Sequence, residues 1–313
     1  MIAETAVTLR QNIQKVIVGK DEVIDIALIA MLCEGHLLLE DVPGTGKTTL
    51  AKTIAASLGC TFHRVQFTPD LLPSDVTGIY YYNQKVQEFE FRPGPIFAQI
   101  LLADEINRAT PRTQSSLLEA MQERQVTVDI ATHPLPRPFL VLATQNPVEL
   151  EGTFPLPEAQ LDRFLMKLAI GYPNAAQEND ILLRFERNDP LATLTKVVEP
   201  EQIVAMQQEV REVRVEESVR NYIVDVCRAT RHHEDIELGA SPRATLALYR
   251  TCQARAAIDG RSFVIPDDVK TMAPYVLTHR LMVNPQTRLR GRKPEDIIRD
   301  VVNTVTVPVE GNQ

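Results

Sequence analysis

Apolar and polar positions divide this chain into two halves with different periods. In the first half, short apolar runs alternate with stretches of helical period. Residues 36–40 form one such run and stop at a glycine-rich turn, after which residues 47–58 read as a helix. Residues 61–66, 100–104 and 139–144 predict further strands, and residues 166–170 a weaker fifth. Short apolar strands separated by helices imply βαβ units and a parallel sheet buried on both faces. Between the third and fourth strands, Thr110 can cap a helix whose first position is Pro111. Leu117, Leu118 and Met121 give that helix one apolar stripe.

Two segments break the alternation. Residues 78–92 carry Tyr80, Tyr81 and Tyr82, a polar turn at Asn83-Gln84-Lys85, and a period-two stretch Glu88-Phe89-Glu90-Phe91, which together predict a hairpin. Residues 125–138 predict a second hairpin, with Val126-Thr127-Val128 as one strand and a proline-rich return, although no glycine marks its turn. From Pro173 onward the period is helical. Val219, Tyr222, Ile223, Val226 and Cys227 share one face, Ser241-Pro242 starts a helix that runs to Asp259, and Pro266 opens another. Ile297, Ile298, Val301, Val302 and Val305 line the last one. The reading is an α/β domain, residues 1–172, with a parallel sheet and helices on both faces. A small all-helical domain, residues 173–313, follows it.

Composition narrows the function classes. A chain of 313 residues fits one large and one small domain. A net charge of -8 gives no global field toward nucleic acid or an anionic membrane. Cys33, Cys60, Cys227 and Cys252 are scattered without a Cys-x-x-Cys pair, so neither a disulfide framework nor a zinc site is expected, and a reducing cytosol fits. The first 14 residues mix Glu4, Arg10 and Gln11 with apolar positions, unlike a signal peptide. Residues 23–39 are apolar but interrupted by Asp25, Glu34 and His36, which reads as a buried helix running into a strand, not a membrane span. The expectation is a cytoplasmic protein with no membrane partner.

The chemistry begins at Asp41-Val42-Pro43-Gly44-Thr45-Gly46-Lys47-Thr48-Thr49, after a strand and opening a helix. Glycines there let the backbone turn tightly and aim N–H groups at phosphate oxygens, where the helix dipole is positive. Lys47 would reach the β- and γ-phosphates of ATP, and Thr48 would ligate Mg²⁺. The phosphate-loop pattern asks for glycine where Asp41 stands, and the Pro43-Gly44-Thr45-Gly46-Lys47-Thr48 core survives that departure. Ile100-Leu101-Leu102-Ala103-Asp104-Glu105 is an apolar strand ending in two acids, where open α/β sheets bind ligands. Asp104 would hold Mg²⁺ and Glu105 would act as general base on the attacking water.

Other residues gain meaning from that pair of motifs. Asn146 ends the next strand and can orient the water, though alone it would read as a turn opener before Pro147. Arg163, in Leu161-Asp162-Arg163-Phe164, suits a finger for phosphoryl charge in a neighbour's site; the bland alternative is a surface salt bridge with Asp162. Arg243 occupies the first turn of a helix, where a cation opposes the dipole, which favours an anionic partner. Val18 and Gly19, in Val16-Ile17-Val18-Gly19-Lys20, suit an apolar adenine pocket, and no Asn-Lys-x-Asp stretch reads guanine, so ATP is preferred over GTP. His232-His233-Glu234-Asp235 lacks the spacing of a metal-binding helix face and reads as a solvated helix end. The three tyrosines read as hairpin packing.

These motifs carry a specific resemblance. Glu40 through Thr48, Asp104-Glu105-Ile106-Asn107-Arg108-Ala109 and the run from Glu151-Gly152-Thr153-Phe154 to Asp162-Arg163-Phe164 resemble the MoxR family of AAA+ ATPases over nearly the whole chain, and Asp41 in place of glycine is typical of that family. The resemblance implies a P-loop NTPase core with a helical lid, ATP and Mg²⁺ bound between them, and a homo-hexameric ring. It also implies a chaperone-like role in maturing protein clients, often with a partner carrying a von Willebrand factor A domain. By the same resemblance both hairpins face the pore, and Asn146, Arg163 and Arg243 correspond to the first sensor, the arginine finger and the second sensor. Arg243 would then serve either its own or a neighbour's nucleotide. Two other readings compete: a nucleic-acid motor or clamp-loader-like protein, disfavoured by the acidity and the lack of a basic appendage, and a nucleotide-gated scaffold, disfavoured by intact Glu105, Asn146 and Arg163.

Overall fold

The computed structural model describes residues 1–129, 131–147 and 152–308. Two helices, α1 (Ile2–Gln14) and α2 (Asp21–Leu32), precede β1 (Leu37–Glu40) and α3 (Lys47–Ser57). Then come β2 (Phe62–Gln66), α4 (Pro73–Thr77), β3 (Gly78–Asn83), β4 (Glu88–Pro93), β5 (Ile100–Asp104) and α5 (Pro111–Glu123). The chain continues through β6 (Gln125–Val128), β7 (Ala131–Pro134), β8 (Leu140–Gln145), α6 (Glu158–Leu161) and β9 (Met166–Leu168). The five long-range strands form one parallel sheet in the order β2-β5-β8-β1-β9. Strand alternation sorts its side chains: Leu37, Leu39, Ile100, Leu102, Leu140 and Leu142 share a core with α1, α2 and α3. Leu38, Leu101, Ala103, Val141 and Ala143 face the core that holds α4 and α5. Helices on both faces explain why these strands read as continuous apolar runs.

Both expected hairpins form. β3 pairs antiparallel with β4, with Tyr80 opposite Phe91, and β6 pairs with β7. The second hairpin turns without glycine because Asp129 takes a left-handed φ of 53°, a conformation that Asp tolerates better than most residues. His133 of β7 stacks on Phe91 at 4.0 Å and faces the Tyr80 hydroxyl at 3.2 Å, so the two hairpins are joined side by side. Tyr80 is thus the packing tyrosine, while Tyr81 and Tyr82 stay exposed. Thr110 precedes α5 as expected, but its side chain makes no capping bond.

The C-terminal part is helical: α7 (Ala175–Phe185), α8 (Pro200–Arg211), α9 (Glu217–Thr230), then β10 (Ile236–Leu238), α10 (Pro242–Ile258), α11 (Pro266–Leu277), β11 (Met282–Val283), α12 (Pro285–Leu289) and α13 (Pro294–Thr304). The expectation of an all-helical second domain needs one correction, since β10 and β11 form a short antiparallel ladder. Two- and three-residue strands leave no period to read. The stretch 232–235 needs another correction. Asp235 is buried, and its carboxylate accepts from Thr287 and Arg292, so it anchors α12 instead of fraying into solvent.

The helical part and the sheet share one apolar core that runs through α1 and α2. Polar ties cross the same seam. Asn12 donates to the Thr195 carbonyl at 2.9 Å, and Gln207 to the Met31 carbonyl at 2.7 Å. Among the described residues, no helix is long and apolar enough to cross a membrane.

Candidate functional site

The loop between β1 and α3 is shaped by two glycines. Gly44 and Gly46 take φ of 85° and 87°, a region that costs any side chain strain. Nothing lies within 4 Å of where a Cβ would stand at either, so conformation and not crowding selects glycine. Gly46 is the N-cap of α3, which turns the unpaired N–H groups and positive dipole end of that helix toward the loop. Lys47 folds back on the loop, donating to the carbonyls of Asp41 at 2.9 Å and Val42 at 2.8 Å.

Asp41 has a physical reason to replace glycine here. Its carboxylate is buried and accepts from the N–H groups of Val42 (2.9 Å), Ile170 (2.9 Å) and Gly171 (2.7 Å). A glycine would leave the two N–H groups after β9 without these acceptors. The side chain therefore ties the phosphate loop to the chain that leaves β9 toward the helical part.

Asp104 and Glu105 sit at the C-terminal end of β5, beside the loop. Thr144 of β8 links them, donating its hydroxyl to Asp104 Oδ1 at 2.6 Å and accepting the Glu105 N–H at 2.8 Å. Glu105 takes φ 56° and ψ 51°, a strained conformation for a residue with a side chain, worth of order 1–3 kcal/mol. Two residues of β2 complete the cluster. Arg64 donates to Asp104 Oδ2 from Nη2 (2.7 Å) and Nε (3.1 Å), and Gln66 donates to Glu105 Oε2 at 2.8 Å. Arg64 also donates to Gln66 Oε1 at 2.9 Å, so the two acids and their two holders form one chain of contacts. Arg108 adds an ion pair to Glu105 at 3.4 Å.

A cavity of about 390 Å³ gathers Pro43, Gly44, Gly46, Lys47, Thr48, Thr49, Asp104, Glu105 and Asn146, together with Arg64, Gln66 and Thr144. A second cavity of about 230 Å³ opens from the same glycines and from Thr45 onto Val16, Ile17, Val18, Ile170, Ile181 and Phe185. Its lining is apolar, as a flat heteroaromatic ring requires. Val18 lines this cavity and Gly19 does not; the Gly19 carbonyl accepts from Gln177 of α7 at 3.2 Å. Polar and apolar cavities meeting at one glycine-rich loop match a nucleoside triphosphate in shape and chemistry.

Arg163 and Arg243 are not in either cavity. They line a third cleft with Arg250, Arg124 and Arg280. Arg280 there is buried and pairs with Asp162 at 2.6 Å, so the surface pair between Asp162 and Arg163 does not form. Arg124 and Arg211 pair with Glu34. Among the described residues, Arg163 and Arg243 form no ion pair. Ser241 accepts the Ala244 N–H as the N-cap of α10, which sets Arg243 in the first turn as read from the sequence. Glu151 of the long motif lies outside the described residues.

Comparison with known proteins agrees with this geometry. Residues 36–166 match the family model described as ATPase family associated with various cellular activities (AAA), and residues 228–301 match the AAA lid domain. An uncharacterised protein, YeaC of Bacillus subtilis, is 51% identical over 300 residues, covering 96% of this chain and 94% of that protein. The chaperone MoxR1 of Mycobacterium tuberculosis is 42% identical, over 95% of this chain and 81% of its own length. The protein MoxR of Methylorubrum extorquens is 31% identical over 97% and 96%. This chain belongs to the MoxR family of AAA+ ATPases. A crystal structure of a candidate ATPase from Cytophaga hutchinsonii superposes on this MoxR-family chain with a TM-score of 0.91 at 39% identity, covering 98% of each. The protein is an ATPase.

Sequence reasoning missed Arg64, Gln66 and Thr144, and the part Ile181 and Phe185 play in the apolar cavity. Arg64 and Gln66 share one face of a strand by period two, which was visible. That β2 lies beside β5 was not, because strand order is a tertiary fact.

Proposed function

We propose that this MoxR-family ATPase couples ATP hydrolysis to remodelling or maturation of protein clients as a homo-hexameric ring. In this reading, residues 1–172 are the nucleotide-binding core and residues 173–313 the lid. Lys47 leaves the Asp41 and Val42 carbonyls for the β- and γ-phosphates, and Val18 borders the adenine. Thr48 and Asp104 offer oxygen donors only, which fits Mg²⁺, an ion that needs few protein ligands beside the phosphates. When bound, Mg²⁺ neutralises charge on the phosphate oxygens. Glu105, held by Gln66 and the Glu105 N–H contact to Thr144, accepts the proton of the attacking water, and Asn146 orients that water.

The observation that carries the ring is the separation of the arginines. Arg163 and Arg243 line a cleft that shares no residue with the phosphate cavity of the same chain. Two cations with no ion pair among the described residues, on one surface, suit the nucleotide of a neighbouring subunit. Arg243 then acts in trans together with Arg163. A companion protein with a von Willebrand factor A domain is the expected partner by family resemblance, and cytosol the expected compartment.

The test uses Glu105→Gln, which should keep ATP but hydrolyse it far more slowly. With ATP, this variant should retain protein clients that the wild type releases within its turnover time. Turnover stimulated severalfold by single- or double-stranded nucleic acid, with no such retention, would replace this reading with that of a nucleic-acid motor.

A further inference from the structure

We propose that Arg64 is a positioning residue that competes with the divalent cation for Oδ2 of Asp104, so that magnesium nucleotide binds against an internal guanidinium. The inference rests on the assignment of Asp104 as a metal-holding residue. Both oxygens of that carboxylate are already engaged. Oδ1 accepts from the Thr144 hydroxyl, which is fully buried and also fixed by the Glu105 N–H. Oδ2 accepts two N–H groups of Arg64. A carboxylate offers about four acceptor sites; those of Oδ2 are both taken by Arg64, so a cation, or a water bound to it, that reaches Asp104 through Oδ2 must replace that guanidinium.

Arg64 is the one that can leave. Its side chain is 46% exposed while that of Asp104 is 12% exposed. It stands on β2, the edge strand of the sheet, so its head can turn into solvent without opening the core. Thr144 has neither freedom, being on β8 within the sheet and fully buried. Arg64 also lines the phosphate cavity, so the guanidinium and an incoming cation would occupy the same small volume. Two positive groups cannot share one carboxylate oxygen at contact distance without strong repulsion. The chain from Arg64 to Gln66 to Glu105 carries the consequence further. When Arg64 turns away, Gln66 Oε1 loses the donor that orients the amide holding the Glu105 carboxylate.

The experiment measures binding of a ribose-labelled fluorescent ADP to the full-length protein, with saturating Mg²⁺ and separately in EDTA. Arg64→Gln removes the competing charge from an exposed edge position. Its affinity for the nucleotide with Mg²⁺ should rise about three- to tenfold, the scale of a half-exposed ion pair with good geometry. The Mg²⁺ concentration at half-saturation should fall by a similar factor. Arg64→Lys, which keeps the charge but not the two-donor fork, should lie between the variant and the wild type. In EDTA the gain should vanish. Unchanged or weaker binding by Arg64→Gln with Mg²⁺ would overturn the competition, as would a gain of equal size in EDTA. Asp104→Asn separates this outcome from failure of the site assignment. If that variant binds nucleotide with wild-type Mg²⁺ dependence, Asp104 is not the metal residue. If it loses that dependence while Arg64→Gln changes nothing, only the competition fails.

Discussion

Arg280→Met tests how the lid-side helices hold the Arg163 turn. The Arg280 side chain is 3% exposed. Its Nε donates to Asp162 Oδ1 at 2.6 Å, and Nη2 to the carbonyls of Phe164 at 2.7 Å and Asp162 at 3.3 Å. Its Nη1 donates to Leu165 O at 3.0 Å and to Val276 O. One guanidinium therefore organises the backbone on both sides of Arg163. Breaking a buried pair by deleting one partner costs about 3–5 kcal/mol. Two facts put the cost here near the lower end. Asp162 is 22% exposed and can rehydrate, and the Phe164 carbonyl keeps His279 as a donor at 3.0 Å. A loss of about 3 kcal/mol corresponds to a melting temperature about 6 °C lower, at the roughly 2 °C per kcal/mol expected for a chain of this size. Calorimetry reads the melting shift. Adding Asp162→Asn to the variant should cost little more, because the partner is already gone. Fluorescent ADP binding should hold while turnover falls toward that of Arg163→Ala. A melting shift below 1 °C, or full turnover, would refute the claim that Arg280 sets the Arg163 turn.

Two further outcomes follow from the same geometry. Arg163→Ala and Glu105→Gln should each be nearly inactive alone, yet a mixture with demonstrated subunit exchange should regain turnover, since some interfaces pair an intact Glu105 with an intact Arg163; a mixture as inactive as its parts would count against action in trans. His36 is buried, with Nε2 donating to Met121 O at 3.1 Å and Nδ1 accepting the Val141 N–H at 3.0 Å, and burial pushes its pKa down to about 4. The unfolded chain therefore takes up the proton first as pH falls below about 6.5, so the stability His36 confers is complete above that value and fades as pH falls toward 4. Between pH 7 and pH 5 the loss should be about 2 kcal/mol, and His36→Gln should flatten that part of the melting-temperature profile; an unaltered profile would show that His36 is not the titrating group.

The sheet was legible because each of its strands announces itself locally. The expected strands at 36–40, 61–66, 100–104 and 139–144 match β1, β2, β5 and β8 to within one residue at each end, since apolar runs bounded by polar turns leave little freedom. The phosphate loop, the acid pair and Asn146 were legible for the same reason: their chemistry is written in adjacent residues. What escaped was whatever depends on two distant segments meeting. Asp41 departs from the phosphate-loop pattern, and the physical reason shows only where the N–H groups of Ile170 and Gly171 come to it from 129 and 130 residues away. A pair between Asp162 and its neighbour Arg163 was the alternative to the finger reading, and a residue 118 positions on takes Asp162 instead. The β10–β11 ladder and the burial of Asp235 belong to the same class, with partners separated by roughly half a hundred residues and no period to betray them.

That last substitution of partners changes what the Arg163 turn is for. Had Asp162 neutralised Arg163, the pair would be a surface ornament worth little. Because Arg280 takes the carboxylate, Arg163 keeps its charge for an outside anion while its backbone is clamped from within. The clamp comes from the turn after α11, and Arg243 comes from α10, which packs against α11. A phosphate reaching this cleft would therefore be gripped by a turn that follows α6 and by a helix of the C-terminal part at once. The turn is tied to the segment after α11 by a buried guanidinium and by His279, which donates to the Phe164 carbonyl from a position where burial holds it neutral. Loss of that phosphate would release both cations together, and a rigid connection of this kind transmits displacement instead of absorbing it. In the proposed ring, a nucleotide held by a neighbouring subunit would therefore engage the Arg163 turn and α10 as one unit.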